Sequence, residues 1–104
     1  MTFGDIILIP FPFSELTNVK ARPALVIAET KDKYKDIIVC AISSVIPDTL
    51  TENEILILPA KSNKLKVASV LKIDRIVTLK KDSIITNLGK IENPMIEKVK
   101  NMFH

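Results

Sequence analysis

Apolar residues occur along this chain in short runs, each closed by a proline or a cluster of polar residues. Ile6, Ile7, Leu8 and Ile9 follow one another without interruption. A strand with one wet face would alternate, so this run predicts a strand over residues 4–10 covered on both faces. The stretch "FPFSELTNVKA" then has two prolines within three residues, followed by Ser, Thr and Asn. It predicts a loop, and long loops in small domains often carry function. A second strand is expected over residues 23–28, with Pro23 tolerated at its first position. A third, rich in β-branched residues, is expected over 37–43. "EILIL" (54–58) predicts a short fourth strand, 67–79 a long fifth and 87–92 a short sixth. The loop "PAKSNKLK" between the fourth and fifth is basic and lacks aromatics. The last segment changes period. In "NPMIEKVKNMF", Ile96, Val99 and Phe103 fall on one helical face, with Asn93 expected as N-cap and Pro94 in the first turn. Several short strands and one terminal helix predict a mainly β domain, either a small barrel or an α+β arrangement.

Composition narrows the chemistry. The chain has 104 residues, 47% of them hydrophobic. That suits one compact domain, 1–104, with a real core. No apolar run approaches the ~18 residues of a membrane span. The start "MTFGD" lacks a basic region and a cleavage site, so the chain reads as cytoplasmic. Cys40 is the single cysteine and His104 the single histidine. Together they supply neither a disulfide framework nor a zinc site, so no metal or cofactor is expected. Cys40 lies inside "DIIVCAIS" and reads as a small buried hydrophobe rather than a nucleophile. The two glycines, Gly4 and Gly89, form no phosphate-binding loop. A Ser-His-Asp arrangement would have to use His104 at the very end of the chain. The net charge of +3 permits a polyanionic partner without demanding one.

What remains is Arg22, the serines Ser43 and Ser44, and the set Lys72, Asp74 and Arg75. Arg22 precedes Pro23, which pushes its backbone into an extended conformation. Its guanidinium is planar, always charged and suited to a phosphate. Ser43 ends the third strand, where a hydroxyl can donate to a phosphate oxygen. On the fifth strand, alternation puts Lys72, Asp74 and Ile76 on one face and Ile73, Arg75 and Val77 on the other. Each also has an ordinary structural reading. Arg22 can pair with Glu15 or Glu29, the serines can be turn residues, and Asp74-Arg75 can be a solvated strand edge.

The segment "FGDIILIPFPFSELTNVKARPALVI" resembles the N-terminal signature of the PemK/MazF family of toxins from bacterial toxin–antitoxin pairs. "VCAISS" and "ASVLKIDRIVTLKKDSI" resemble that family's third and fifth strands, and the terminal helix also fits. The resemblance implies a small SH3-like barrel of the CcdB/Kid/MazF kind with a C-terminal helix, working as a homodimer. It implies a metal-independent, sequence-selective endoribonuclease of single-stranded mRNA, in which a ribose 2′-hydroxyl attacks the adjacent phosphorus. A cognate antitoxin with an acidic tail is the implied partner, and operator DNA is expected to be bound only together with it. Arg22 and Ser43 match the family's catalytic arginine and its hydroxyl residue. Lys72 and Asp74 resemble a basic-x-Asp pair on the fifth strand, with Asp74 the only carboxylate available as a base. Lys20, Ser44, Lys72 and Phe11 are the expected substrate contacts, and Phe11 and Phe13 are candidates either for base stacking or for core packing. Two features depart from the family pattern. Lys20 is the only base in the loop before Arg22, and Ile76 or Val77 stands where many members carry an arginine. Two other readings share these residues: a non-catalytic toxin of the same fold that inhibits a protein such as gyrase, and a nucleic-acid-binding regulator that does not cut.

Overall fold

The structure, a computed structural model, describes residues 1–12 and 19–103. Phe13 and Glu15 of the first loop lie outside the described residues, as do His104 and the side chain of Phe11. The elements are β1 (Asp5–Pro12), β2 (Val19–Glu29), β3 (Ile37–Ser43), β4 (Glu54–Ile57), β5 (Ser69–Leu79), β6 (Thr86–Lys90) and α1 (Asn93–Met102). The strands form one antiparallel sheet in the order β4-β5-β3-β2-β1-β6, curled into a half-barrel. The architecture is mainly β with one C-terminal helix, as expected.

The unbroken apolar run of β1 has the physical cause read from it. Ile6 packs into one buried cluster with Leu25, Cys40, Ile55, Leu71 and Val99. Ile7 and Ile9 pack into a second with Ala24, Val26 and Val39. Neighbours on each strand thus go to different clusters, which places a core on both faces of the sheet. Each isoleucine, leucine or valine so removed from water stabilises the fold by about 1.5–3 kcal/mol. The helix depends on this packing, because ten residues are too few to hold a helix in water. Val99 is fully buried, and Ile96 and Phe103 pack beside it as their spacing predicts.

Several boundaries move, each for a reason in the pairing. β1 continues through Phe11 and Pro12, and β2 starts at Val19 rather than Pro23, because Phe11 pairs with Lys20 and Pro12 with Val19. Pro23 therefore lies inside a strand. It is tolerated because β3 pairs with β2 only from Ala24 onward, which leaves one side of β2 without a neighbouring ladder at Pro23. β5 begins at Ser69, so Val67 belongs to the preceding loop. β4 ends at Ile57, and β6 occupies 86–90 rather than 87–92. The N-cap of α1 is Glu92, not Asn93, since the Glu92 carbonyl accepts the Ile96 N–H at 3.0 Å.

The strict alternation expected along β5 also fails. Cys40 pairs with Ile76 and Ala41 with Lys72, so residues 73–75 bulge without counterparts on β3. Such a bulge breaks the period of two. Ile73 is buried, while Asp74, Arg75 and Ile76 are exposed in succession.

Candidate active site

The β2–β3 ladder ends at the pair Ala24–Ala41. Two residues further along each strand stand Arg22 and Ser43, opposite one another where the cross-strand hydrogen bonds have stopped. β1 still supports β2 there, with Ile9 paired to Arg22. The guanidinium thus starts from a backbone held on one side and open on the other. Arg22 is half-buried and its Nε is fully buried.

Two concavities meet at this point. The smaller, about 180 Å³, is lined by Arg22, Ile42, Ser43, Ser44 and Val45. Within it the Val45 N–H donates to Ser43 Oγ at 3.1 Å. This turn leaves the Ser43 hydroxyl proton able to donate elsewhere. The larger is a groove of about 470 Å³. Arg22 and Ser44 are among its lining residues, and Lys64 and Lys66 line it from the loop between β4 and β5. Its remaining lining is mostly aliphatic, including Leu8, Pro23, Leu65, Val67 and Leu88.

The loop carrying those lysines is pinned from two directions. Asn63 is buried, at 4% exposure. Its Oδ1 accepts the Ala60 N–H at 3.0 Å and the Leu65 N–H at 2.9 Å, while its Nδ2 donates to the Leu58 carbonyl at 3.1 Å. From outside, the Lys90 N–H of β6 donates to the Ser62 carbonyl at 2.9 Å. The Ser62 hydroxyl also donates to Glu92 at the start of α1, at 3.3 Å. The loop so spans the gap between the two edges of the open sheet. Lys64 follows Asn63 with φ of 53°, a left-handed conformation that costs a non-glycine residue about 1–2 kcal/mol.

The residues expected at the site are therefore divided. Arg22, Ser43 and Ser44 come together. Lys20 is exposed on β2, opposite Phe11. Lys72 and Asp74 line neither concavity. Lys72 Nζ lies 3.3 Å from Glu54, its cross-strand neighbour on β4. The Thr51 backbone N–H donates to that Glu54 carboxylate at 2.9 Å. This bond, aided by the Thr51 hydroxyl and by Lys72, holds the Glu54 carboxyl below the usual carboxylate range. Asp74 sits in the β5 bulge, four residues past the partner of Ser43, which is about 13 Å of strand. Cys40 is buried as expected, and desolvation pushes its thiol up to about 12. At neutral pH it carries almost no thiolate, which makes it a poor nucleophile.

Lys64 and Lys66 were not expected at the site. Their only sequence signal is the basic character of "PAKSNKLK", which does not say where the loop points.

Among the described residues no three His, Cys, Asp or Glu side chains gather into a metal-binding group. Among the same residues no helix is long and apolar enough to cross a membrane. No curated protein matches the chain. The family described as PemK-like, MazF-like toxins of type II toxin–antitoxin systems matches residues 2–104. With nearly its whole length matched and a curled antiparallel sheet carrying one terminal helix, the chain belongs to the PemK-like, MazF-like toxins of type II toxin–antitoxin systems.

Proposed function

We propose that this toxin is an endoribonuclease that cuts single-stranded RNA at Arg22 and Ser43 without a metal ion. The observation that carries the reading is the meeting of a half-buried arginine and an available hydroxyl in one small pocket beyond the end of the β2–β3 ladder. In the reaction the ribose 2′-oxygen attacks the adjacent phosphorus and the bond to the 5′-oxygen breaks. The 2′-hydroxyl proton leaves to a base, and the departing 5′-oxygen takes up a proton. Negative charge builds on the phosphoryl oxygens, and preorganised donors stabilise it most where charge develops. Arg22 can grip two such oxygens at once, and Ser43 can donate to one of them. With a pKa above ~12, arginine acts here by electrostatics rather than as a base. Asp74 lies about 13 Å of strand from the partner of Ser43. It serves as base only through a rearrangement or from a second copy of the chain, and a homodimer is part of this reading. Base selectivity comes from unstacked bases held in the groove.

Family membership implies an antitoxin partner, and its acidic tail would complement the cationic groove. Operator DNA is bound only with that antitoxin, and the toxin acts in the cytoplasm, where its substrate is.

Incubation of the purified protein with a long single-stranded RNA in EDTA tests the proposal. Discrete fragments ending in cyclic phosphate are expected. Removing one donor of this kind costs about 10²–10³-fold in rate, so Arg22→Ala should show little cleavage while keeping its circular dichroism spectrum. A folded, fully active Arg22→Ala protein rules the assignment out. Intact but retarded RNA points to a binding module, and no interaction with RNA points to a protein target.

A further inference from the structure

We propose that Lys64 and Lys66 are phosphate anchors for the RNA strand, holding the nucleotide beside the one cut at Arg22 and Ser43. The inference rests on the nuclease reading above but has its own readout.

Three observations converge. The first is charge. Among the described residues lining the large groove, Arg22, Lys64 and Lys66 are cationic and none is acidic. The second is size. At about 470 Å³ the groove is larger than a phosphate needs, and it falls within the ~300–1,000 Å³ typical of small-molecule sites. Its mostly aliphatic lining suits a base or ribose, with charge supplied by Arg22, Lys64 and Lys66.

The third is the backbone. Lys64 adopts φ of 53° although asparagine or glycine would occupy that conformation with less strain. The loop is not slack, because Asn63 and the Ser62–Lys90 bond fix it against β6. Lys35, in the exposed turn after β2, has a similar φ of 50°, so it is not the strain but the place that distinguishes Lys64: its loop is pinned beside a groove lined by cations and no acids. Ammonium groups act as point charges on phosphate, so these two residues contribute affinity and register rather than chemistry.

The test uses the full chain with Lys64→Asn, Lys66→Gln and the double variant. Asparagine tolerates the left-handed conformation, so Lys64→Asn should melt at the wild-type temperature or a few degrees above it. The probe is a single-stranded oligonucleotide with 2′-O-methyl riboses, which cannot be cut by 2′-hydroxyl attack. Its affinity is followed by fluorescence anisotropy across a salt series. Each lysine removed should flatten the slope of log K against log salt by about 0.7, and the double variant by about 1.4. With a cleavable RNA, the double variant should raise KM about 10-fold with a smaller change in kcat. A double variant with wild-type salt slope and KM overturns the anchor role. Wild-type protein that binds the oligonucleotide but cuts no RNA defeats the nuclease reading, while the salt slope still decides the anchors. Wild-type protein that neither binds the oligonucleotide nor cuts the RNA overturns both.

Discussion

Gly89→Ala is the substitution whose cost the structure defines most directly. A Cβ at residue 89 would lie 1.9 Å from the Ser62 carbonyl oxygen and 2.9 Å from its carbonyl carbon. Both are backbone atoms, so no rotamer change relieves the clash. The Ser62 carbonyl is also the acceptor of the Lys90 N–H, and moving it breaks that 2.9 Å bond. Residue 89 has φ of 148°, which adds backbone strain for any side chain. Strain of about 1–3 kcal/mol and a lost hydrogen bond of about 0.5–1.5 kcal/mol combine to roughly 2–4 kcal/mol. For a domain of this size that is a fall in Tm of roughly 10–20 °C. Gly4→Ala is the control. A Cβ there meets only the ends of the Ile96 and Ile91 side chains, at 3.4 Å and beyond, with φ of 97°. Backbone strain of about 1–2 kcal/mol is its whole expected cost. Thermal unfolding followed by circular dichroism measures both. A Gly89→Ala protein melting within 3 °C (about 0.5 kcal/mol) of wild type, or above Gly4→Ala, refutes the claim that this contact closes the half-barrel. Because the same contact positions the loop of Lys64 and Lys66, Gly89→Ala should also weaken RNA binding at temperatures where it remains folded.

Two further outcomes follow from the titratable groups. Hydrogen bonds from Thr51 and the Lys72 ammonium lower the Glu54 pKa in the folded state, so its contribution to stability is present at neutral pH. It should fade as the pH falls below about 4, and Glu54→Gln should flatten the acid limb of a plot of Tm against pH; an unchanged acid limb in that variant contradicts the assignment. Cys40, with its thiol pushed up to about 12 by burial, should resist a thiol reagent at pH 8 in the native protein and react within minutes in denaturant; rapid native labelling would contradict its burial.

Much of the fold is legible from the sequence because its signals are local. The doubly apolar run 6–9, the β-branched run 37–43 and the 3.6-residue period of Ile96, Val99 and Phe103 each state their own environment. Strand ends were less legible. Whether Phe11, Pro12 and residues 19–22 are loop or strand depends on partners across the sheet, and proline at position 23 argues for a boundary that the half-open pairing there makes unnecessary. The bulge at 73–75 escaped for the same reason, since an unmatched residue is defined only against the neighbouring strand.

The site divides along the same line. Local chemistry left Arg22, Ser43, Ser44, Lys72, Asp74 and Arg75 as candidates, each with an ordinary structural reading beside it; the family resemblance singled out Arg22 and Ser43, and the lone Cys40 and His104 left little material for a cysteine or histidine centre. The sequence alone therefore determined the kind of chemistry available, because that depends on which functional groups exist and on backbone preferences such as Arg-Pro. Only the tertiary structure decided which groups meet. The β2–β3 register sets Arg22 across from Ser43, the β5 bulge carries Asp74 away, and a loop held by Asn63 and the contact at Gly89 brings Lys64 and Lys66 to the groove. Residues separated by some forty positions become neighbours through strand pairing and closure of the barrel, and no local pattern encodes that distance.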